Sequence, residues 1–110
     1  MLLLVASALP LKAASVVTGP LSGVRAYPNP WRVDKHANMA VKFDNIPAGS
    51  VVKLFTVSAH EVKLLTADGS GTALWDRTND SGESVASGVY IFLVIDPQGN
   101  STSGKLAIIK

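Results

Sequence analysis

Side chains able to do chemistry are few and scattered in this 110-residue chain. A zinc or other transition-metal site needs three or four ligands brought together by paired spacing. The two imidazoles, His36 and His60, stand far apart in sequence and there is no cysteine. The densest acidic stretch, "DRTNDSGE" from Asp76 to Glu83, invites comparison with a calcium loop. It departs from that pattern: counted from Asp76, the third position is Thr78, the glycine falls one place late at Gly82, and the twelfth position is not acidic. A looser calcium arrangement and a plain network of turn hydrogen bonds are the two readings of this loop. A carboxylate pair for glycoside cleavage would have to come from Asp76, Asp80 or Glu83, in a polar segment with no evident cleft. Serines and aspartates occur without a nucleophile elbow, and "GSG" at Gly69 to Gly71 lacks the lysine and helix of a phosphate loop. The chain reads as a non-enzyme with no cofactor and no metal.

The totals bound what such a chain can be. At 110 residues it has room for one core, and with 47% hydrophobic and 16% charged residues it is too apolar for disorder. Ten cations against eight anions give a formal charge of +2 and a pI near 9.1. Spread along the sequence, they form no patch able to grip a phosphate backbone, so no nucleic-acid partner is implied. Without cysteines the fold must be held by packing and strand pairing alone.

The apolar run from Leu2 to Leu11 is shorter than the ~20 residues of a membrane-spanning helix. Small residues follow at Ala13, Ala14 and Ser15, as after a signal peptide, but no Lys or Arg precedes the run. It reads either as a signal or as the end of a preceding segment in a longer gene. "SVVTGPLSG", Ser15 to Gly23, has the composition of a connection. The expected division is a signal-like or linker tail over 1–23 and one domain over 24–110, with no integral membrane span in the folded domain.

Beyond Gly23 the periodicity is that of strands, and no segment carries a sustained helical period. Strands are expected at Val24 to Tyr27, Met39 to Asp44, Val51 to Val57, Glu61 to Thr66, Thr72 to Asp76, Val89 to Ile95 and Lys105 to Ile109. In the second, Met39, Val41 and Phe43 share one face. "VYIFLVI" is apolar on both faces, as in a central strand or one covered by a partner. "DPQGN" is a turn, with Pro97 preset for its second position and Gly99 able to take positive φ. Short strands at this spacing predict an all-β fold, an immunoglobulin-like β-sandwich of about seven strands, with a small barrel as the alternative. Trp31 and Trp75 are expected to anchor the core rather than to stack on a ligand.

In "VRAYPNPW" the prolines fix φ and leave Asn29 free to hydrogen-bond backbone, so the stretch reads as a stiff entry corner that aims Trp31 at the core. The motif, Tyr27, Pro28, Asn29 and Pro30, resembles the opening signature of the C-terminal sorting domains of the type IX secretion system. It is similar too to the related immunoglobulin-like domain of the flagellar hook-capping protein family. "VKLFTVSAHEVKLL" looks like that family's hairpin, with Val52, Leu54, Phe55 and Val62 at its apolar positions. "LWDRTNDSGESVASGVYIFLV" matches its Trp-Asp at Trp75 and Asp76, its turn at Gly82, and the Ser-Gly-Val-Tyr at Gly88 and Tyr90. The ending "GKLAIIK" matches as well, so the resemblance runs from Val24 to Lys110. Three positions depart from it: Ala59 replaces the hairpin glycine, Thr56 the aspartate before it, and Arg77 the glycine after Trp-Asp. A side chain at positive φ costs about 1 kcal/mol or more, so these turns are expected to adopt another geometry.

The resemblance implies a non-catalytic label carried at the C-terminus of an exported protein. A cargo would be covalently attached on its N-terminal side, and components of an outer-membrane translocon would read the label. It implies transit through the periplasm to the cell surface or the medium. Recognition is expected at Lys105, Leu106, Ala107, Ile108, Ile109 and Lys110, through a strand whose edge is free for pairing. A structural spacer module and a sugar-binding module stacking on Trp31, Tyr27 or Tyr90 are the alternatives.

Overall fold

The computed structural model describes residues 21–110. Residues 1–20, and with them most of the signal-like or linker tail, lie outside the described residues. Two sheets make a sandwich. A three-stranded antiparallel sheet has the order β1 (Arg25–Tyr27), β3 (Val41–Asp44), β6 (Ala73–Trp75). A five-stranded sheet has the order β2 (Trp31–Arg32), β8 (Ser101–Ile109), β7 (Gly88–Ile95), β4 (Val51–Thr56), β5 (Glu61–Thr66). Its pairings are antiparallel except β2 with β8, which is parallel. The fold is all-β and sandwich-like, as the alternation predicts, with one addition: a single helical turn, α1 (Val33–His36), follows β2.

Alternation decides which residues meet between the sheets. Val41, Phe43, Ala73 and Trp75 point inward from one sheet, and Val52, Leu54, Tyr90, Phe92, Val94, Leu106 and Ile108 from the other. The layers are joined by two edge-on aromatic pairs: Phe43 with Phe92 at 5.2 Å between centroids and Trp75 with Tyr90 at 5.7 Å. Leu21, which the sequence assigns to the tail, is 3% exposed and belongs to this core, so the packed unit starts before Val24.

Three expectations about strand ends need correcting. Met39 is 49% exposed and precedes β3, because its carbonyl is drawn out of the ladder to accept from Trp31 Nε1 at 2.8 Å and from Arg77 Nη1 at 2.6 Å. Val57 lies beyond β4 and is exposed. The last strand starts at Ser101 rather than Lys105. "STSG" looks like loop because its side chains are polar or absent, yet each of its residues pairs with β7, from Ser101 opposite Ile95 to Gly104 opposite Phe92. Gly104 is required there, since a Cβ would stand 2.5 Å from the Phe92 ring.

The turns are closed by side chains. Asp96 Oδ1 accepts from the amides of Gln98 and Asn100, and Asn100 Nδ2 donates to Asp96 Oδ2 at 2.9 Å. Hydrogen bonds led by the Asn100 side chain outweigh the opposing cost of burial and hold the Asp96 carboxyl below its ordinary range. Asp68 and Asn79 organise their turns in the same manner.

Candidate functional site

The Tyr-Pro-Asn-Pro corner does more than turn the chain. Both of its X–Pro bonds are cis. Asn29 reaches across to β8, donating from Nδ2 to the Lys105 carbonyl at 2.9 Å and accepting from the Ala107 amide at 3.1 Å on Oδ1. One side-chain amide thus copies the pairing of a neighbouring strand. Two residues later the main chain takes over as β2, with Trp31 beside Ile108 and Arg32 beside Ile109. The edge of β8 from Lys105 to Ile109 is therefore occupied, which corrects the expectation of a free edge. The corner does aim Trp31 into the core, where it is 2% exposed.

The six expected recognition residues divide by face. Leu106 and Ile108 are each 1% exposed and belong to the core. Lys105 and Ile109 are exposed and Ala107 half-buried, all three on the outer face of the five-stranded sheet. Lys110 closes the chain against the loop before β7, with its amide donating to Ser87 Oγ at 2.8 Å and its ammonium to Ser84 Oγ at 2.6 Å.

The other signature residues build. Trp75 is fully buried, and its Nε1 donates to the Thr78 carbonyl at 2.8 Å. Asp76 accepts from the Thr78 amide and hydroxyl; the hydroxyl bond leads the effects that hold its carboxyl low. Gly82 takes φ +82 in the following turn. Tyr90 donates to the Ala86 carbonyl at 2.6 Å and so ties "ASG" to the start of β7 at Gly88; burial pushes its phenol up. The other carboxylates of the acidic loop are engaged too: Glu83 accepts from Asn79 Nδ2 at 3.1 Å and Asp80 from the Leu64 amide at 3.4 Å. Among the described residues no three of His, Asp and Glu come together as metal ligands. With both tryptophans in the core, the sugar-stacking reading loses its platform.

The two departures from glycine keep the geometry that glycine would have, contrary to expectation. Ala59 has φ 72 and Arg77 φ 65. Around Ala59, the Thr56 carbonyl accepts from its amide at 2.9 Å and Thr56 Oγ1 accepts from the His60 amide at 3.1 Å, so Thr56 holds the turn with a hydroxyl. Arg77 is held by its bond to the Met39 carbonyl and by its guanidinium lying 4.0 Å from the Trp31 ring centroid. These contacts over-determine the backbone and sustain the strain.

The second apolar face that the sequence shows in "VYIFLVI" belongs to a broad apolar surface on the outer side of the five-stranded sheet, whose extent sequence reasoning does not give. Phe55, Ile91, Leu93 and Ile95 are half-buried there, while Val57, Leu64, Val89 and Ile109 are exposed. A hollow of about 240 Å³ opens in it, lined by Phe55, Thr56, Val57, Ala59 and Ile91. The available signal is "VYIFLVI" itself, whose second apolar face has no cover among the described residues.

No protein-family model matches the sequence, and no curated protein matches it. Solved structures do. PorZ, an essential bacterial surface component of the type IX secretion system of Porphyromonas gingivalis, superposes with a TM-score of 0.71 and 30% identity, over 83% of this chain and 12% of PorZ. The chain resembles a type IX secretion-related domain. Dimeric latent PorU of the same organism shares the fold at TM-score 0.53 and 21% identity, over 78% of this chain and 9% of PorU. The chain thus spans about a tenth of the length of either neighbour, and in it the Tyr-Pro-Asn-Pro corner locks the last strand in place.

Proposed function

We propose that this domain is a non-catalytic sorting module that directs an attached cargo across the outer membrane by type IX secretion, through recognition by translocon components. The observation that carries the reading is the joint one: likeness to PorZ over most of the chain, with a signature corner that fixes the C-terminal strand. On this reading the cargo is joined on the N-terminal side and the module passes through the periplasm to the surface or the medium.

The state of β8 decides how such a label is read. Its upper edge is taken by Asn29 and β2, so the readable features are the outward side chains Lys105, Ala107 and Ile109, while Lys110 is tied to Ser84 and Ser87. Leu106 and Ile108 support this register from the core. Removing Lys105 to Lys110 would take two buried side chains with it and would test stability together with export. A cleaner test changes only the outer side. A reporter fused to the chain behind a signal peptide is expressed in a host with a type IX translocon, beside a Lys105→Glu, Ile109→Ser double variant. The reading expects surface or medium delivery for the first and periplasmic retention of a folded second. Retention of both would leave the domain as a structural spacer.

A further inference from the structure

The register of the five-stranded sheet arranges its outer face in rows that run across β5, β4, β7 and β8. One row is Glu61, Phe55, Ile91, Lys105; the next is Leu64, Lys53, Leu93, Ser103; the third is Thr66, Val51, Ile95, Ser101. Residues paired directly across strands share a face. Each row has an apolar or amphipathic centre, and the first has opposite charges at its two ends. Neither Glu61 nor Lys105 is in an ion pair among the described residues.

We infer that this face binds a second copy of the same chain, the two sheets packing outer face to outer face about a two-fold axis that runs along the strands between β4 and β7. That operation turns each row end for end onto itself. Glu61 then faces Lys105 of the other copy, twice per pair, and Phe55 faces Ile91. In the other rows Val51 meets Ile95, Thr66 meets Ser101, and Lys53 lays its methylene stem on Leu93. An acidic partner would match Lys105 and Lys53 but would oppose Glu61, and a purely apolar one would bury all three charges unpaired. Only a surface with the same polarity reversed satisfies both ends, and the face itself is such a surface. Aligned packing of two twisted sheets is a standard solution for half-buried β faces.

Four strands about 4.8 Å apart and three rows about 6.8 Å apart cover roughly 400 Å² per copy, about 800 Å² in all, less than a standard stable interface buries. The association is therefore weak and concentration-dependent. The inference goes beyond the sorting reading, since it needs no translocon and is tested on the purified chain alone.

The test mixes equal amounts of ordinary and heavy-nitrogen full-length chain, treats the mixture with a zero-length carbodiimide, and reads isotopically mixed peptides by mass spectrometry, with sedimentation velocity across a concentration series. The expected result is a mixed Glu61 to Lys105 cross-link and a dimer that grows with concentration. Glu61→Lys alone and Lys105→Glu alone each reduce the dimer fraction severalfold, the double reversal restores it, and Ile91→Thr reduces it without unfolding the chain by circular dichroism. A chain that stays monomeric throughout overturns the inference. So does a dimer that is indifferent to both charge reversals, since its interface lies elsewhere. Failure of the unchanged fusion to leave the periplasm, with dimerisation of the purified chain normal, would count against the sorting reading alone.

Discussion

The outer faces of the two sheets cover the same core and are finished in opposite ways. On the three-stranded sheet, Tyr27 donates to Asp44 at 2.8 Å, Arg25 approaches the same carboxylate at 3.4 Å, and Arg25 and Lys42 stand 5.1 and 5.8 Å from the Tyr27 ring. Polar and cationic groups there gather on Asp44 Oδ2 and the Tyr27 ring, leaving Asp44 Oδ1 without a partner, and Leu74 is the one large apolar side chain exposed on that face among the described residues. On the five-stranded sheet, Phe55, Ile91, Leu93 and Ile95 form the surface, and Lys53 and Lys105 stand among them outside any ion pair of the described residues. The second face, unlike the first, carries a continuous apolar area that nothing among the described residues covers.

This contrast can be broken most forcefully on β8, where inward and outward residues alternate along one strand. Leu106→Ala and Ile108→Ala should each cost about 2–5 kcal/mol, as buried aliphatic truncations do, while Ile109→Ala should stay within about 0.5 kcal/mol. Urea denaturation of the three variants measures this. An Ile109 cost equal to that of its neighbours would make the outer face part of the core and end the comparison.

A smaller loss is expected at the corner that fixes this strand. Asn29→Ala removes both bonds to β8 and should cost about 1–3 kcal/mol, with hydrogen exchange quickening at Ala107 before the rest of the sheet. Uniform exchange across β7 and β8 would mean that β2 alone holds the edge.

The two faces should also part company in acid. Burial raises the Asp44 carboxyl, but the Tyr27 hydroxyl and Arg25 pull it below its ordinary value on balance. Its folded pKa being depressed, the stability it contributes is full above about pH 4 and disappears as pH falls through the folded value. Asp44→Asn should flatten that part of the acid limb in a stability-against-pH series, whereas Lys105→Glu on the opposite face should leave the Asp44 contribution in place.

The smallest effects separate Ala59 and Arg77, two of the three non-glycine residues at positive φ. Ala59→Gly beside the apolar hollow should raise stability by up to about 1 kcal/mol, by relieving a left-handed alanine. Arg77→Gly relieves the same backbone but gives up the Trp31 and Met39 contacts, and should lower the thermal midpoint.

How much of this the sequence discloses depends on how local the signal is. Val41 and Phe43 are legible because alternation reports which side of a strand is buried, whereas in "VYIFLVI" both faces are apolar and the pattern does not choose. The turns at Asp68 and Asp96 are legible because their bonds close within four residues. The Asn29 bonds to β8 span more than seventy residues and leave no periodic trace, so the edge of that strand looks free when it is not. "STSG" is a strand only because β7 lies beside it. Ala59 and Arg77 break a local rule, and the contacts that hold them in place are visible only in three dimensions. The apolar second face of "VYIFLVI" is readable as pattern, while what covers it is not.

The central claim is that the five-stranded outer face, and not the three-stranded one, is where this domain is read. The most direct measurement is export of reporter fusions carrying matched folded variants of the two faces, Lys105→Glu with Ile109→Ser on one and Lys42→Glu with Leu74→Ser on the other. The account predicts that the first stays in the periplasm while the second reaches the surface or medium like the unchanged fusion. Equal export of both variants, or loss confined to the second, would contradict it.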